Sequence, residues 1–587
     1  MSEEIGRREF MKMNMAVGLG MALGEPFRLG SDETKTIRIG VIGMGGRGTG
    51  LMRTLQGMKG VAIRAVCDII PERVTRAQKI VVAAGQDAPE GYSDGDMAWS
   101  RLCGRDDLDA VIIATPWEWH TRMAVGAMKA GKYAGVEVPC SITTQECWDL
   151  VNTSEETGVP CMMLENWSFR SDNLAVLNMI RQGLFGEIVH CHCAHSHDCL
   201  GHWFFGRARP WAGKYLTTHN CDLYPTHDLG PVLSWMNIGC GDYFDYITST
   251  ATDPFGPKDY FTRKHGPDHP LAKQKYTQGD IVSSVVRTKK GKTIVINFDM
   301  QLPRPYDNRW MIQGTRGIYN EQRNAVYIDG VSPGREAWEP FEPYHQTYRH
   351  KWWEAPRSGG GHGGTDWLEL KLFVDAVRNK TQTPLDVYES VTMSCIFPLS
   401  GESIAKGSAP VKVPDFTRGK WETRKPSFAL DDRTFVVPGA PQVVRREDGM
   451  FEQTLRLGVD KAKVDLRGVK IRFTGGPTPY SRWPATGTQP YYCLFSDGDW
   501  GIDVAVPKGA TGEVAVYAYD PEGLRKQTVT FQNRAPDRLD DFRKGAWVKH
   551  AFTAADSADG ILKLAVKRRG EGNCVLSKLR IAIAENK

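Results

Sequence analysis

The sequence predicts an α/β protein in three parts: a doubly wound parallel sheet, an α+β domain with an open, largely antiparallel sheet, and a C-terminal all-β sandwich. Three observations lead there. Near residue 40 an alternating apolar strand runs straight into a glycine-rich turn and a helical segment. Strand-like and helix-like periods then alternate up to about residue 160, the pattern of βαβ units. After Trp421 no helical period continues, and short alternating strands, Gly512–Tyr519 and Ile561–Val566 among them, are separated by Gly, Pro and Asp turns.

With 587 residues the chain exceeds what one core supports, since cores stop growing near ~250–300 residues. The expected division is a leader over 1–30, the parallel sheet over 31–160, the α+β domain over 161–430 and the sandwich over 431–587. Hydrophobic residues make up 41% and charged residues 24%, which excludes a disordered chain, a collagen-like repeat and a disulfide-dense scaffold. A net charge of +5, from 74 Lys and Arg against 69 Asp and Glu, gives no reason to expect nucleic acid or a membrane surface. A small-molecule partner is expected, and a homo-oligomer is left open.

The leader reads Gly6-Arg7-Arg8-Glu9-Phe10-Met11-Lys12, then an apolar run Met13–Leu23 with a small-x-small step at Ala22-Leu23-Gly24. Paired arginines before a weakly apolar run form the twin-arginine export pattern; a plain basic tail is the alternative. The run has 11 residues where a bilayer needs about 20, so no membrane span is predicted. This route carries folded proteins, which suits a tightly held cofactor and implies a periplasmic or extracellular protein of a bacterium. The 13 cysteines contain no Cys-x-x-Cys pair and are expected to be mostly buried apolar residues.

The first strand ends in Gly43-Met44-Gly45-Gly46-Arg47-Gly48. A second strand, Val61–Cys67, ends at Asp68, 20 residues after Gly48, where an acid can bind both ribose hydroxyls of a dinucleotide. The glycines admit a pyrophosphate to the helix N-terminus, and the carboxylate repels a 2′-phosphate. The reading is a Rossmann domain binding NAD rather than NADP. Further strands end at Pro116-Trp117-Glu118-Trp119-His120, at Glu137-Val138-Pro139 and before Asn166, all on the carboxyl edge where ligands sit in such sheets.

The Ala114-Thr115-Pro116 strand end and the Glu137-Val138-Pro139 triplet resemble the Gfo/Idh/MocA oxidoreductases. In that superfamily the triplet is normally Glu-Lys-Pro, and its lysine assists proton transfer. Here Val138 stands at the lysine position, and Leu223 breaks the superfamily's Asp-x-x-x-His pair four residues before His227. Both departures are features of glycoside hydrolase family 109, the NAD-dependent α-N-acetylgalactosaminidases, which the chain resembles over roughly residues 1–421. The matching stretches include Trp117–His120, Met162–Asn166, Tyr224–His227, Leu302–Tyr306, Gln313–Ile318, Gly361–Gly364 and Pro414–Trp421.

The resemblance implies that Gly46, Arg47, Asp68, Trp117, Glu118, Trp119, His120, Glu137, Val138, Asn166 and Tyr224 contact NAD. It implies that Tyr224, Pro225, Thr226, His227 and Tyr306 contact a sugar. Two positions depart from the family: His195 replaces a tyrosine, and Ala212 replaces an arginine. The implied reaction oxidises sugar C3 with NAD, removes the acidified C2 proton, eliminates the C1 oxygen, adds water and returns the hydride, one of the exceptions to two-carboxylate hydrolysis. His227 and Tyr224 are the expected proton-handling groups, with His195 as a further acid or base. A secreted NAD-dependent sugar oxidoreductase, or a 3-keto-sugar enzyme, is the alternative; a non-catalytic glycan-binding protein is a third.

The run His190-Cys191-His192-Cys193-Ala194-His195-Ser196-His197-Asp198-Cys199 looks like a metal site, thiolate with imidazole suiting zinc. As a strand it places Cys191, Cys193, His195, His197 and Cys199 on one face. Closed zinc sites usually pair ligands across a turn at Cys-x-x-Cys spacing, and the segment corresponds to a non-metal strand of the family, so no metal is assigned. Ser358–Gly364 is a substrate loop or a surface turn, and Lys289-Lys290-Gly291 is a hairpin turn. Trp310 is expected near the sugar through Tyr306, and Trp235 in the core. In the sandwich, Tyr491, Tyr492 and Trp500 offer sugar stacking, with core packing the stronger expectation.

Overall fold

The computed structural model describes residues 35–584 except 208, 333–336, 355–360, 439–442, 458–463, 465, 467, 483–490, 521 and 571. The leader lies outside the described residues, as do the side chains of Tyr491 and Tyr492. The chain forms two compact units. One runs up to Asn324 and includes Tyr348–Thr434; the other comprises Ala325–Thr347 and Phe435–Lys587.

The first unit opens with β1 (Ile37–Ile42), β2 (Val61–Cys67), β3 (Glu90–Tyr92), β4 (Ala110–Ile113), β5 (Tyr133–Val136) and β6 (Cys161–Met163), in the order β3-β2-β1-β4-β5-β6. Every pairing is parallel. That is the doubly wound order, and β1, β4 and β6 are near-continuous apolar runs because helices cover both faces. Three residues separate β1 from helix α1 (Gly46–Gln56), and three separate β4 from α2 (Trp117–Lys129). Both N-termini therefore lie at the carboxyl edge of the sheet.

A second, mixed sheet follows. Strand β7 (Ile188–Ser196) lies parallel to β10 (Thr293–Asp299) and antiparallel to β11 (Met311–Gly314). Beyond β10 come β9 (Ile281–Thr288) and β8 (Phe244–Ala251), both antiparallel. The turn between β9 and β10 is the expected hairpin, with Gly291 at φ +86°. Helices α3 (Thr226–Met236) and α4 (Thr365–Asn379) complete the elements that carry the site.

In the second unit, residues 443–583 form three antiparallel sheets around one apolar cluster that includes Leu455, Ile502, Val514, Val529, Leu562 and Leu579. Trp500 belongs to that cluster, so its ring packs rather than stacks on a ligand. All 13 cysteines are free thiols and all but Cys240 are buried. Among the described residues no helix is long and apolar enough to cross a membrane.

Candidate active site

The glycines between β1 and α1 divide by function. A Cβ on Gly43, at φ +90°, would lie 2.4 Å from the Ala114 carbonyl oxygen, and one on Gly48 only 1.8 Å from that of Gly43. These two let strand and helix touch. Gly45 and Gly46 instead face open space, with nothing within 4 Å of an added Cβ. They leave a cradle at the N-terminus of α1, where unpaired N–H groups and the helix dipole favour an anion. At the end of β2, Asp68 accepts the Met44 N–H at 2.7 Å and the Ile70 N–H at 3.0 Å, which fixes its carboxylate beside that cradle. The donor set fits a dinucleotide: room for a pyrophosphate, a positive helix end and an acid for ribose hydroxyls.

Arg47 does not hold its charge free. Its Nε lies 2.6 Å from Glu137 Oε1 and its Nη1 2.6 Å from Asp366 Oδ2. Asn166 Nδ2 donates to Asp366 Oδ1 at 2.7 Å, and His362 Nδ1 lies 3.0 Å from Asp366 Oδ2. Burial alone would raise the Asp366 carboxyl, but the His362 hydrogen bond and the Arg47 guanidinium hold it well below the usual carboxylate range. Through this one carboxylate α4 joins α1 and Asn166, and Arg47 carries the link on to Glu137 just after β5. The His362 loop thus reaches the site, whereas Asp366 carries no local motif.

The other residues expected at the cofactor edge take several roles. The two ring nitrogens of buried His120 lie 2.7 and 2.8 Å from the Pro139 and Thr115 carbonyl oxygens, so this ring ties strand ends together. Glu118 is paired with Lys214 and accepts the Tyr215 hydroxyl at 2.8 Å. Trp119 lies under the Arg122 guanidinium, and Val138 is buried ahead of a cis peptide bond to Pro139.

At the sugar end Tyr224 and Pro225 lead into α3, whose first residues are Thr226 and His227. Asp222 accepts the Tyr224 N–H at 3.0 Å and holds that entry. His227 Nδ1 is hydrogen-bonded to Glu165 Oε1, and Glu165 also accepts the N–H groups of Trp167 and Ser168 at 3.2 and 3.0 Å. Gly230 makes room for this carboxylate, since its Cβ would sit 2.1 Å from Glu165 Oε2. His195, near the end of β7, closes the group. Its ring centroid is 5.2 Å from Tyr224, 5.3 Å from His227 and 5.5 Å from Tyr306.

The structure therefore brings His195, Tyr224, His227 and Tyr306 together. Buried His195 Nδ1, Thr226 Oγ1 and Asn166 Oδ1 have no hydrogen-bond partner among the described residues, the mark of a ligand-facing wall. Burial pushes His195 well below its ordinary value and His227 down to about 3, so both rings are uncharged at neutral pH. Burial raises Glu165 to about 8 and the Tyr224 phenol above its usual range. Glu165, which orients His227, was not singled out in the sequence; its only trace there is its place inside the Met162–Asn166 stretch.

The tryptophans are redistributed. Trp117 is buried and packs against Trp203, Trp211, Tyr215 and Tyr224, so it backs the pocket. Trp310 is fully buried with its indole N–H on the Asp228 carbonyl at 2.8 Å; it holds α3 and does not reach toward a sugar. Trp235 is core, as expected. Ala212 is buried beside Trp211, and a guanidinium nearby comes from Arg209, stacked 4.6 Å over Trp203. The histidine run does not continue as one strand face: β7 ends at Ser196, and His197 and Cys199 lie beyond it. His190 and His192 bond to Thr293 and Asn297 at 2.9 and 2.8 Å.

Residues 37–165 match the oxidoreductase family with an NAD-binding Rossmann fold, and residues 169–423 match the glycosyl hydrolase 109 C-terminal domain. An NAD-binding oxidoreductase of Klebsiella pneumoniae has the same fold at 18% identity and a TM-score of 0.51, over 65% of this chain and 99% of that one. A levoglucosan dehydrogenase solved with NADH and levoglucosan gives 20% identity and a TM-score of 0.50, over 65% and 100%. Fold and site define an NAD-binding protein of the oxidoreductase architecture. The sequence is 38% identical over 466 residues to an alpha-N-acetylgalactosaminidase of Tannerella forsythia, covering 72% of this chain and 99% of the relative. It is 39% identical over 452 residues to a glycosyl hydrolase family 109 protein of Stenotrophomonas maltophilia, covering 73% and 99%. The chain belongs to glycosyl hydrolase family 109 and is an NAD-dependent glycoside hydrolase.

Proposed function

We propose that the protein hydrolyses terminal α-N-acetylgalactosaminides by oxidation and elimination at the sugar ring. The observation that carries this reading is the convergence of His195, Tyr224 and His227 on one pocket wall. Bound NAD supplies reversible hydride acceptance at sugar C3, which acidifies the C2 proton. The chain's own part is to orient the ring and move protons. In the tautomer that carries its proton on Nδ1, against Glu165, His227 presents Nε2 as the nitrogen that accepts a substrate proton. Tyr224, protonated at neutral pH because burial raises its phenol, can deliver a proton to a leaving oxygen. Neutral His195 sits between them and Tyr306, where a second proton transfer is within reach. No lysine stands at Val138 to assist a simple dehydrogenase.

His195 and Ala212 sit at two positions where this chain departs from the family's site pattern, and we assign its substrate preference to them. Arg209 supplies the nearby positive charge. The leader supports export of the folded, NAD-loaded enzyme by the twin-arginine route. Fusion of residues 1–30 to a reporter, with and without Arg7→Lys and Arg8→Lys, tests that address.

The decisive experiment is hydrolysis of a chromogenic α-N-acetylgalactosaminide in heavy water with no added cofactor. Turnover with deuterium at C2 of the released sugar is expected. Product without exchange would mean direct displacement, and consumption of NAD in a parallel reaction supplied with it would mean a dehydrogenase.

A further inference from the structure

Just beyond β7 the chain makes a second constellation that hydrolysis does not use. His197, Cys199 and His202 each offer one ligand atom, and these atoms all lie within 4.8 Å of one another. Cys199 Sγ is 3.1 Å from His197 Nδ1. Tetrahedral zinc with Zn–S of about 2.3 Å and Zn–N of about 2.0–2.1 Å sets its ligand atoms roughly 3.5 Å apart, so small side-chain rotations suffice. The backbone is already fixed. His197 N–H donates to Asp299 O at 2.9 Å and Cys199 N–H to Met300 O at 3.1 Å. The Cys199 carbonyl accepts the Trp203 and Phe204 N–H groups at 2.9 and 3.1 Å, which folds the turn Leu200–Phe204 and swings His202 back toward Cys199. Cys199 and His202 thus stand at Cys-x-x-His spacing across a turn, the arrangement that a straight strand could not give.

We propose that His197, Cys199 and His202 bind a zinc ion through one thiolate and two imidazoles, with the fourth position open. Three protein ligands with an open fourth position are the composition of a site that takes water or a substrate oxygen. The place suits a sugar: the His197 ring is 5.2 Å from Tyr306 and 6.2 Å from His195. His202 is exposed and Cys199 buried, so the thiolate lies on the interior side of the site and one imidazole on its solvent side.

The test uses the full-length protein and reads metal rather than turnover, so it stands or falls separately from the glycosidase reading. After chelation and dialysis, Co²⁺ is added to the wild type and the absorption spectrum recorded. A thiolate-to-cobalt charge-transfer band with tetrahedral d–d bands is expected, displaced by stoichiometric Zn²⁺. It should vanish in Cys199→Ser and in His202→Ala, and persist in the control Cys240→Ser. His202 is exposed, so its replacement leaves the fold intact, which retained NAD binding verifies. Absence of the band in the wild type, or its survival in both ligand variants, overturns the site.

Discussion

At the scale of single residues, the Glu165–His227 pair decides what the site can do. Replacing His227 by Ala should lower kcat by about 10²–10⁴-fold, the usual worth of a positioned acid or base, with NAD affinity unchanged by calorimetry. Turnover at the wild-type level would remove His227 from the mechanism. Much of this was legible: His195, Tyr224, His227 and Tyr306 were all named from the sequence, and they meet. Glu165 and Asp366 were not, for a physical reason. Glu165 acts on a ring 62 positions away and Asp366 on a guanidinium 319 positions away, and no spacing or period records such a contact.

Elements set these residues to within fractions of an ångström, and glycines show where. Ala is ordinarily the better helix former, yet Gly230→Ala in α3 must move either the helix or Glu165, because its Cβ would lie 2.1 Å from the carboxylate. A loss of about 10²-fold in kcat is expected from the displaced pair, with cofactor binding intact. The phosphate turn offers a contrast that separates packing from binding. Gly48→Ala drives a Cβ to 1.8 Å from the Gly43 oxygen and should cost about 1–3 kcal/mol, read as a lower melting temperature. Gly45→Ala meets nothing within 4 Å and should keep the melting temperature of the free protein while weakening NAD binding. Equal effects of the two on stability would refute the cradle. The strand, turn and helix were plain in the sequence because local period and glycine spacing encode them. The end of β7 was not, since the alternation of Cys and His runs on past Ser196 while the strand does not.

For the whole molecule, burial of ionisable groups gives stability a pH profile. Glu165, raised by burial from an ordinary 4.5 to about 8, keeps its proton when folded and loses it when unfolded; its share of stability is full below pH 4.5 and declines as pH rises toward 8. His227, lowered by burial from 6.5 to about 3, stays neutral when folded; its share is full above pH 6.5 and is lost as pH falls toward 3. Between pH 6.5 and 8 only the Glu165 slope remains of these two. Thermal melts should therefore fall across that window in the wild type and stay flatter in Glu165→Gln. Parallel curves would place the titration elsewhere. Composition foresaw a multi-core protein bound to a small molecule, but it could not foresee that α4, far along the chain, completes the nucleotide end through Asp366.

The cysteines carry one more implication. A chain threaded unfolded into an oxidising compartment would offer 13 thiols to disulfide-forming catalysts, with no native pairing to select among the products. Crossing the membrane already folded hides all of them but Cys240. On the export route proposed above, the same tertiary structure that holds the nucleotide also serves as the redox shield of the molecule, and transport before folding would forfeit both.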